Sequence, residues 1–371
     1  MNRILSGVPA PDVEALKQIL RRERKSKRVH VGELRFDRVV IRELAEKVFG
    51  LGWIEPGEND RLTQEEALRR TIGVFRRLGF DCVRLSADLR FGANIVFPSR
   101  PRIGTDTAAL KKSERQWTEE GRGPIASWEE FETYPWPDGT KVDLRSLEFT
   151  GKNLPEGMGM WGCITQGVLE IAVNTLMGYE TLSYLLYDEP ELVAAVFDRV
   201  GRLILDGYRR QLGLPGLVGF FQGDDMGFKT STLVSPDVLR RYVLPWHKKF
   251  AELAHQNGLL YVLHSCGNLT SIMDDLIDDV KIDAKHSFED AIMPVTEFAR
   301  KYGDRVAIMG GVDVDKLCGL GEKDLRAYVR NILDICMEKP GYVLGSGNSI
   351  ANYIPIENYL IMVDEGYRYF G

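Results

Sequence analysis

The 371-residue chain has no CxxC pair, no internal repeat and no low-complexity tract. Nor has it an uninterrupted apolar run near the ~18 residues of a membrane helix, which excludes a spanning helix read from sequence. Cysteine is scarce. Five thiols (Cys82, Cys163, Cys266, Cys318, Cys336), odd in number and widely spread, argue for reduced cysteines rather than a disulfide scaffold. Basic residues are not in excess: 48 Lys and Arg stand against 54 Asp and Glu, a net charge of −6, which argues against a nucleic-acid partner. The N-terminus lacks a continuous apolar signal core, so the expected compartment is the cytoplasm. No GxGxxG follows the first strand candidate, and the late GSGNSI has only two glycines, so a dinucleotide-binding open sheet ranks second.

What is present is a folded composition, 44% hydrophobic and 27% charged, with short β-branched runs alternating with long amphipathic ones. Eight strands are predicted, over 28–34, 80–85, 157–164, 217–222, 259–264, 281–285, 305–309 and 342–345. Helices lie between most of them, including one from Pro11 to Arg24, one from an Asp188 cap to Leu212, and one from Ser235-Pro236 to Asn257 kinked near Pro245. Eight βα units in one chain predict an α/β fold, a (β/α)8 TIM-type barrel forming a single domain over 1–371. The stretch 97–156, rich in charge, Gly and Pro, breaks the rhythm. It reads as an insertion over the C-terminal mouth, led by a short strand at 94–97.

Barrel active sites gather at the C-terminal strand ends. The polar residues there are Glu33, Arg35, Asp88, Arg90, Cys163, Gln166, Gln222, Asp224, Asp225, His264, Cys266, His286, Asp313, Ser346 and Asn348. The sharpest signal is HSCGN, His264–Asn268. Residues i and i+2 of a strand share a face, so His264 and Cys266 both point to the mouth and offer Zn²⁺ an N/S pair. A third ligand is open among Asp224, Asp225, Asn348 and Cys163. GDDMG, Gly223–Gly227, brings paired carboxylates suited to acid–base work, and His286 is a further candidate acid. Glu33, Arg35, Asp88, Arg90, Gln222, Asp313, Ser346 and Asn348 are candidates for holding substrate. The glycine-rich loops after the seventh and eighth strands suit an anion, whereas MDDLIDD, 273–279, reads as a solvated helix face.

Several stretches together resemble the uroporphyrinogen decarboxylase superfamily: MGYETLSYLLYDEPELVAAVFDRV (177–200), GDDMGFKTSTLVSPDVLRRYVLPW (223–246), MGGVDVDKL, and LGSGNSIANYIPIENYLIMVDEG. The resemblance implies a barrel and one of two chemistries. True decarboxylases carry an arginine-rich motif after the first strand and a His in the loop after the last. Here the first strand ends GELRFD with one Arg, and the last loop reads Gly345-Ser346-Gly347. The other branch moves methyl groups between a small-molecule donor or acceptor and a corrinoid (cobalamin) carried by a partner protein. Its zinc enzymes resemble this chain at His264-Ser265-Cys266-Gly267, with Asn348 standing near the place of their third ligand, a Cys. The resemblance therefore implies a corrinoid-linked methyltransferase, with Zn²⁺ on His264 and Cys266 and with Asp224, Asp225 and His286 as catalytic groups. The alternatives are a decarboxylase of a tetrapyrrole or other carboxylate, and a non-catalytic tetrapyrrole-binding protein.

Overall fold

The computed structural model describes Leu5, 7–99, 101–105, 114–118 and 121–370. Nine strands occur among these residues. A two-stranded antiparallel hairpin, β2 (Pro101–Thr105) with β3 (Glu114–Thr118), stands apart. The others form one parallel sheet in chain order: β1 (Cys82–Val83), β4 (Gly159–Gly162), β5 (Leu217–Gly223), β6 (Leu260–His264), β7 (Ala284–His286), β8 (Ala307–Met309) and β9 (Tyr342–Val343). The first predicted strand is present only as a short ladder beside β9. Val31 bridges Leu344, Gly32 N–H donates to Leu344 O at 2.9 Å, and Leu344 N–H donates to His30 O at 2.8 Å.

These eight segments curl around one interior. An apolar cluster takes Leu34, Cys82, Trp161, Phe221, Val262, Ala284, Met309 and Val343, one side chain from each wall position. That is the packed centre of a (β/α)8-type barrel rather than one face of an open sheet. Gly32 lets the wall approach this interior closely, since a Cβ there would lie 2.7 Å from Met309 Cε and displace the tip of that side chain. The helix Val13–Leu20 plugs the N-terminal end, where Leu16 and Leu20 join the interior cluster and Val13 N–H donates to Gly157 O at 2.9 Å. No helix among the described residues is long and apolar enough to cross a membrane.

Several expectations need correction. The long outer helix runs Pro190–Gln211 and starts after Glu189, not at an Asp188 cap, because Pro190 takes the first helical turn; Asp188 closes a separate helix, Tyr179–Asp188. The Ser235 cap holds, and the disturbance expected at Pro245 is a π turn over Leu239–Val243, just before the proline that supplies no N–H. Residues 94–97 form no strand; Ile95 is held by its N–H on Ile164 O at 3.0 Å.

Within the expected insertion, residues 100, 106–113, 119 and 120 lie outside the described residues. Its last part, the helix Arg145–Lys152, packs beside the helix Arg61–Arg77, with Arg69 over the Phe149 ring at 4.9 Å. It therefore belongs to the barrel's outer layer. The acidic face of 273–279 is solvated, as expected, and its carboxylates form surface pairs, Arg305 with Asp274 and Asp278 and Arg240 with Asp275.

Candidate functional site

Alternation along β6 sends Val262 and His264 inward and Tyr261 and Leu263 out against the helices. The chain then turns at Gly267 (φ +82), whose Cα sits so close to Gly227 that a Cβ would meet backbone at 2.2 Å. This contact locks the HSCG turn onto the GDDMG turn. Cys266 N–H donates to Asp225 Oδ1 at 2.8 Å, and Met226 N–H donates to Ser265 Oγ at 3.0 Å.

The result is a compact donor set. His264 Nε2 lies 3.4 Å from Asp225 Oδ1 and 3.4 Å from Cys266 Sγ, and one ligand atom from each of the three residues falls within 4.8 Å of the others. Two more groups reach the sulfur: Asn348 Nδ2 at 3.3 Å and Ser287 Oγ at 3.4 Å. Ser287 adopts φ +86, a strained conformation for a side-chain-bearing residue, and its carbonyl accepts from the buried Lys285 Nζ. Lys285 points outward, 4.2 Å over the Phe288 ring, and burial brings its ammonium down to about 8.

The electrostatics favour a cation between these groups. Burial, then the neighbouring Asp225 charge, pushes the Cys266 thiol up to about 12. Burial also pushes His264 down, so its imidazole is neutral, although Asp225 opposes this. Burial raises the Asp225 carboxyl, but the His264 and Cys266 hydrogen bonds outweigh it, so the group stays ionised. His264 Nδ1 pairs with His286 Nδ1 at 2.7 Å. When the His264 proton sits on Nδ1, toward His286, Nε2 gives up its hydrogen bond to Asp225 and its lone pair faces a carboxylate and a sulfur. A soft divalent cation such as Zn²⁺ turns that repulsive cluster into a ligand set and releases the thiol proton.

The fold matches known proteins. Residues 122–369 match the family model described as Uroporphyrinogen decarboxylase (URO-D). The chain belongs to the uroporphyrinogen decarboxylase family. Among solved structures it is similar in fold to a methyltransferase from Methanosarcina mazei, at 16% identity and a TM-score of 0.69, covering 97% of this chain and 100% of that one. It is also similar to a B12-independent methionine synthase from Shewanella sp. W3-18-1, at 11% identity and a TM-score of 0.53, covering 93% and 97%. No curated protein sequence matches the chain.

Seen within that family fold, the candidate residues divide. Asp225, His264, Cys266 and Asn348 come together. His286, fully buried behind His264, touches the donor set through one nitrogen only, and burial with His264 pushes it well below its usual range. Asp224 turns away from Asp225: its oxygens accept Leu169 N–H (3.1 Å), Glu170 N–H (3.0 Å) and His247 Nε2 (2.8 Å), and Gly167 leaves room for it, since a Cβ there would sit 2.0 Å from Asp224. Gln222 also points outward, bonded to Tyr208 OH and the carbonyls of Thr165 and Gly223. Asp313 caps the helix Val314–Gly319. Asp88 is exposed and faces Arg38 at 3.6 Å. Arg35 is exposed at the rim, and Arg90 is buried against Asn94 Oδ1 at 2.6 Å.

Glu33 and Ser346 hold each other across the seam between the first segment and the last loop, Ser346 N–H at 2.8 Å and Ser346 Oγ at 2.6 Å. Burial pushes the Glu33 carboxyl up to about 8, against these two hydrogen bonds. In the folded chain it therefore keeps its proton over pH 4.5–8, while the unfolded chain loses it, so its contribution to stability falls as pH rises through that window. Glu33→Gln is expected to be more stable than the parent at pH 8, with the advantage fading toward pH 4.5; urea midpoints across that range check it.

Two residues escaped the sequence reading. Glu170, on the short helix Val168–Glu170, is pushed up to about 8 by burial and by the Asp225 and Asp224 charges, which favours its protonated form at neutral pH. Ser287, one residue past β7, reaches the Cys266 sulfur. Neither position carries a local motif. The only signal for Ser287 was its place directly after a strand end.

Proposed function

We propose that this chain is a cytoplasmic methyltransferase that moves a methyl group between a small methylated molecule and a corrinoid carried on a separate protein, with Zn²⁺ on His264 Nε2, Cys266 Sγ and Asp225 Oδ1. The observation that carries the reading is the convergence of these three donors within 4.8 Å at the end of the barrel strands. The fold shared with a Methanosarcina methyltransferase supports it. Bound zinc supplies Lewis acidity, which lowers a thiol pKa or polarises the heteroatom that holds the methyl group. The chain's own groups do the rest. His286 fixes the tautomer of His264. Ser287 Oγ and Asn348 Nδ2 hold the sulfur in place, and rotating the Asn348 amide by half a turn offers its oxygen instead. Asp224 anchors the backbone of Glu170, and Glu170 holds a proton beside Asp225 for the leaving heteroatom.

Purified chain supplied with zinc is expected to hold about one zinc per molecule and to methylate free cob(I)alamin from a suitable methylated donor. A chain that takes up no zinc and methylates no cobalamin across a panel of O-, N- and S-methyl donors overturns the reading.

Decarboxylation of uroporphyrinogen is the competing chemistry of the family. At the position of the loop His stands Ser346, which is fully buried and committed to Glu33, so it presents no acid to a substrate. Conversion of uroporphyrinogen to coproporphyrinogen is expected to stay far below about 1 s⁻¹. Chromatography of the porphyrins after aerobic oxidation checks it.

A further inference from the structure

A cleft opens on the outer side of the barrel wall, between the chain after β6 and the chain after β7. Along β7, Ala284 and His286 point inward, Ala284 into the interior cluster and His286 against His264, so Lys285 between them points out. Lys285 borders the cleft, together with Leu269 and Met273 on one side, Phe288 and Met293 on the other, and Phe298 and Tyr302 of the helix Val295–Tyr302. Counted to its open mouth the cleft measures about 400 Å³, with about 30 Å³ of room for water-sized molecules. That room suits about two waters, or one planar head group of similar size. The apolar walls suit a short hydrocarbon tail.

One cation stands among these walls. Lys285 is 5% exposed, and its Nζ lies 4.2 Å over the Phe288 ring and 5.7 Å over the Phe298 ring. The Phe288, Phe298 and Tyr302 rings touch in series, with centroids 5.1 and 4.9 Å apart. An ammonium has three donors. Among the described residues Lys285 forms no ion pair, and its one acceptor is the Ser287 carbonyl. The carboxylates whose charge reaches it are placed elsewhere: Asp225 takes His264 and the Cys266 N–H, and Glu289 is exposed. Ring faces ease the burial of a cation but offer its N–H groups no lone pair. Two donors therefore remain for a guest, and a buried ammonium gains from a counter-charge.

We propose that this cleft is a binding site for a small monocarboxylate with a short apolar tail, such as propionate or butyrate, with the carboxylate on Lys285 Nζ and the tail against Leu269, Met273 and Phe298. A single cation among apolar walls, with the Glu289 carboxylate beside it, suits a monoanion better than a phosphate dianion. The cleft lies on the reverse of the wall that carries His264 and His286, so its ligand is a molecule other than the one that reacts at Asp225, His264 and Cys266. The inference does not depend on the methyl-transfer reading.

The test reads binding without turnover. Butyrate is titrated into the full chain by saturation-transfer NMR, with butyramide as the neutral control and inorganic phosphate as the competing anion. Butyrate is expected to bind saturably, butyramide not to bind, and excess phosphate not to displace butyrate. Lys285→Met keeps the length of the side chain and removes an unpaired buried charge. It is expected to fold with a urea midpoint at or above the parent's and to bind butyrate at least tenfold more weakly. Ile292→Glu, at a half-buried position of the cleft, sets a second carboxylate in it and is expected to weaken binding by a similar factor; this variant carries the test if Lys285→Met fails to fold. Lys249→Gln, exposed on the helix Leu244–Gln256, is expected to leave binding unchanged. Absence of saturable binding, equal binding of butyramide, displacement by phosphate, or parent-like affinity in folded Lys285→Met or in Ile292→Glu overturns the site. Equal weakening in Lys249→Gln also overturns it, because that would mark a general attraction to surface lysines.

Discussion

Asp225→Ala and Cys266→Ser are each expected to lower zinc affinity and methyl transfer by at least about 100-fold, the scale at which even outer supporting residues affect a metal centre. The fold should be almost untouched. The Asp225 side chain is 38% exposed and adds little to the core, and Cys266 is only partly buried in the turn after β6. Serine keeps the size of the side chain but offers a hard hydroxyl where zinc prefers thiolate. Asp225→Ala also removes the acceptor of the Cys266 N–H, so the turn that aims the sulfur loosens with the loss of the ligand. Metal content per chain, methyl transfer to cob(I)alamin and urea midpoints are measured on the same preparations. Loss of stability in step with loss of metal would make Asp225 structural. Full methyl transfer by Cys266→Ser without metal would leave Glu170 as the acid and remove zinc from the reaction.

At the other end of the barrel, Asp81→Ala is expected to cost about 3–5 kcal/mol, the effect of removing one partner from a buried ionic cluster. Asp81 is fully buried just before β1. Its carboxylate accepts from Asp12 N–H at 2.7 Å, from His30 Nδ1 at 2.7 Å and from the Arg28 guanidinium. It thereby ties the plugging helix, the first wall segment and β1 together. Alanine leaves the Arg28 and His30 donors facing a void and unseats the N-cap of the plug. Asp81→Asn keeps the volume and one acceptor, so it should cost less. A lowered urea midpoint with unchanged zinc per folded chain is the expected pattern, because the cluster lies at the N-terminal end and the proposed zinc ligands at the C-terminal end of the strands.

The alternation of short β-branched runs with amphipathic stretches placed all eight wall segments within a few residues. That pattern is local, since each wall segment is buried on both sides and each helix on one. The i, i+2 spacing of His264 and Cys266 likewise needed only the pleat of one strand. Other positions depended on neighbours remote in sequence. Gln222, Asp224 and Asp225 read alike as a polar strand end, but Tyr208 and His247 on outer helices draw the first two outward and leave Asp225 with His264. Arg84 sat inside a predicted strand, and only closure of the barrel set its charge against the Cys163 sulfur and beside Arg90. Glu170 and Ser287 became neighbours of the centre through contacts between residues far apart in the chain, Glu170 N–H on Asp224 being separated by 54 and Ser287 Oγ on Cys266 by 21. The sequence by itself determined the number of wall units, their order and the His–Cys pair, because these follow from local period and pleat. Which polar side chains face the cavity, which brace the barrel and which acids keep a proton was decided only by the tertiary structure, because burial and partner charge are properties of the closed barrel and not of any one segment.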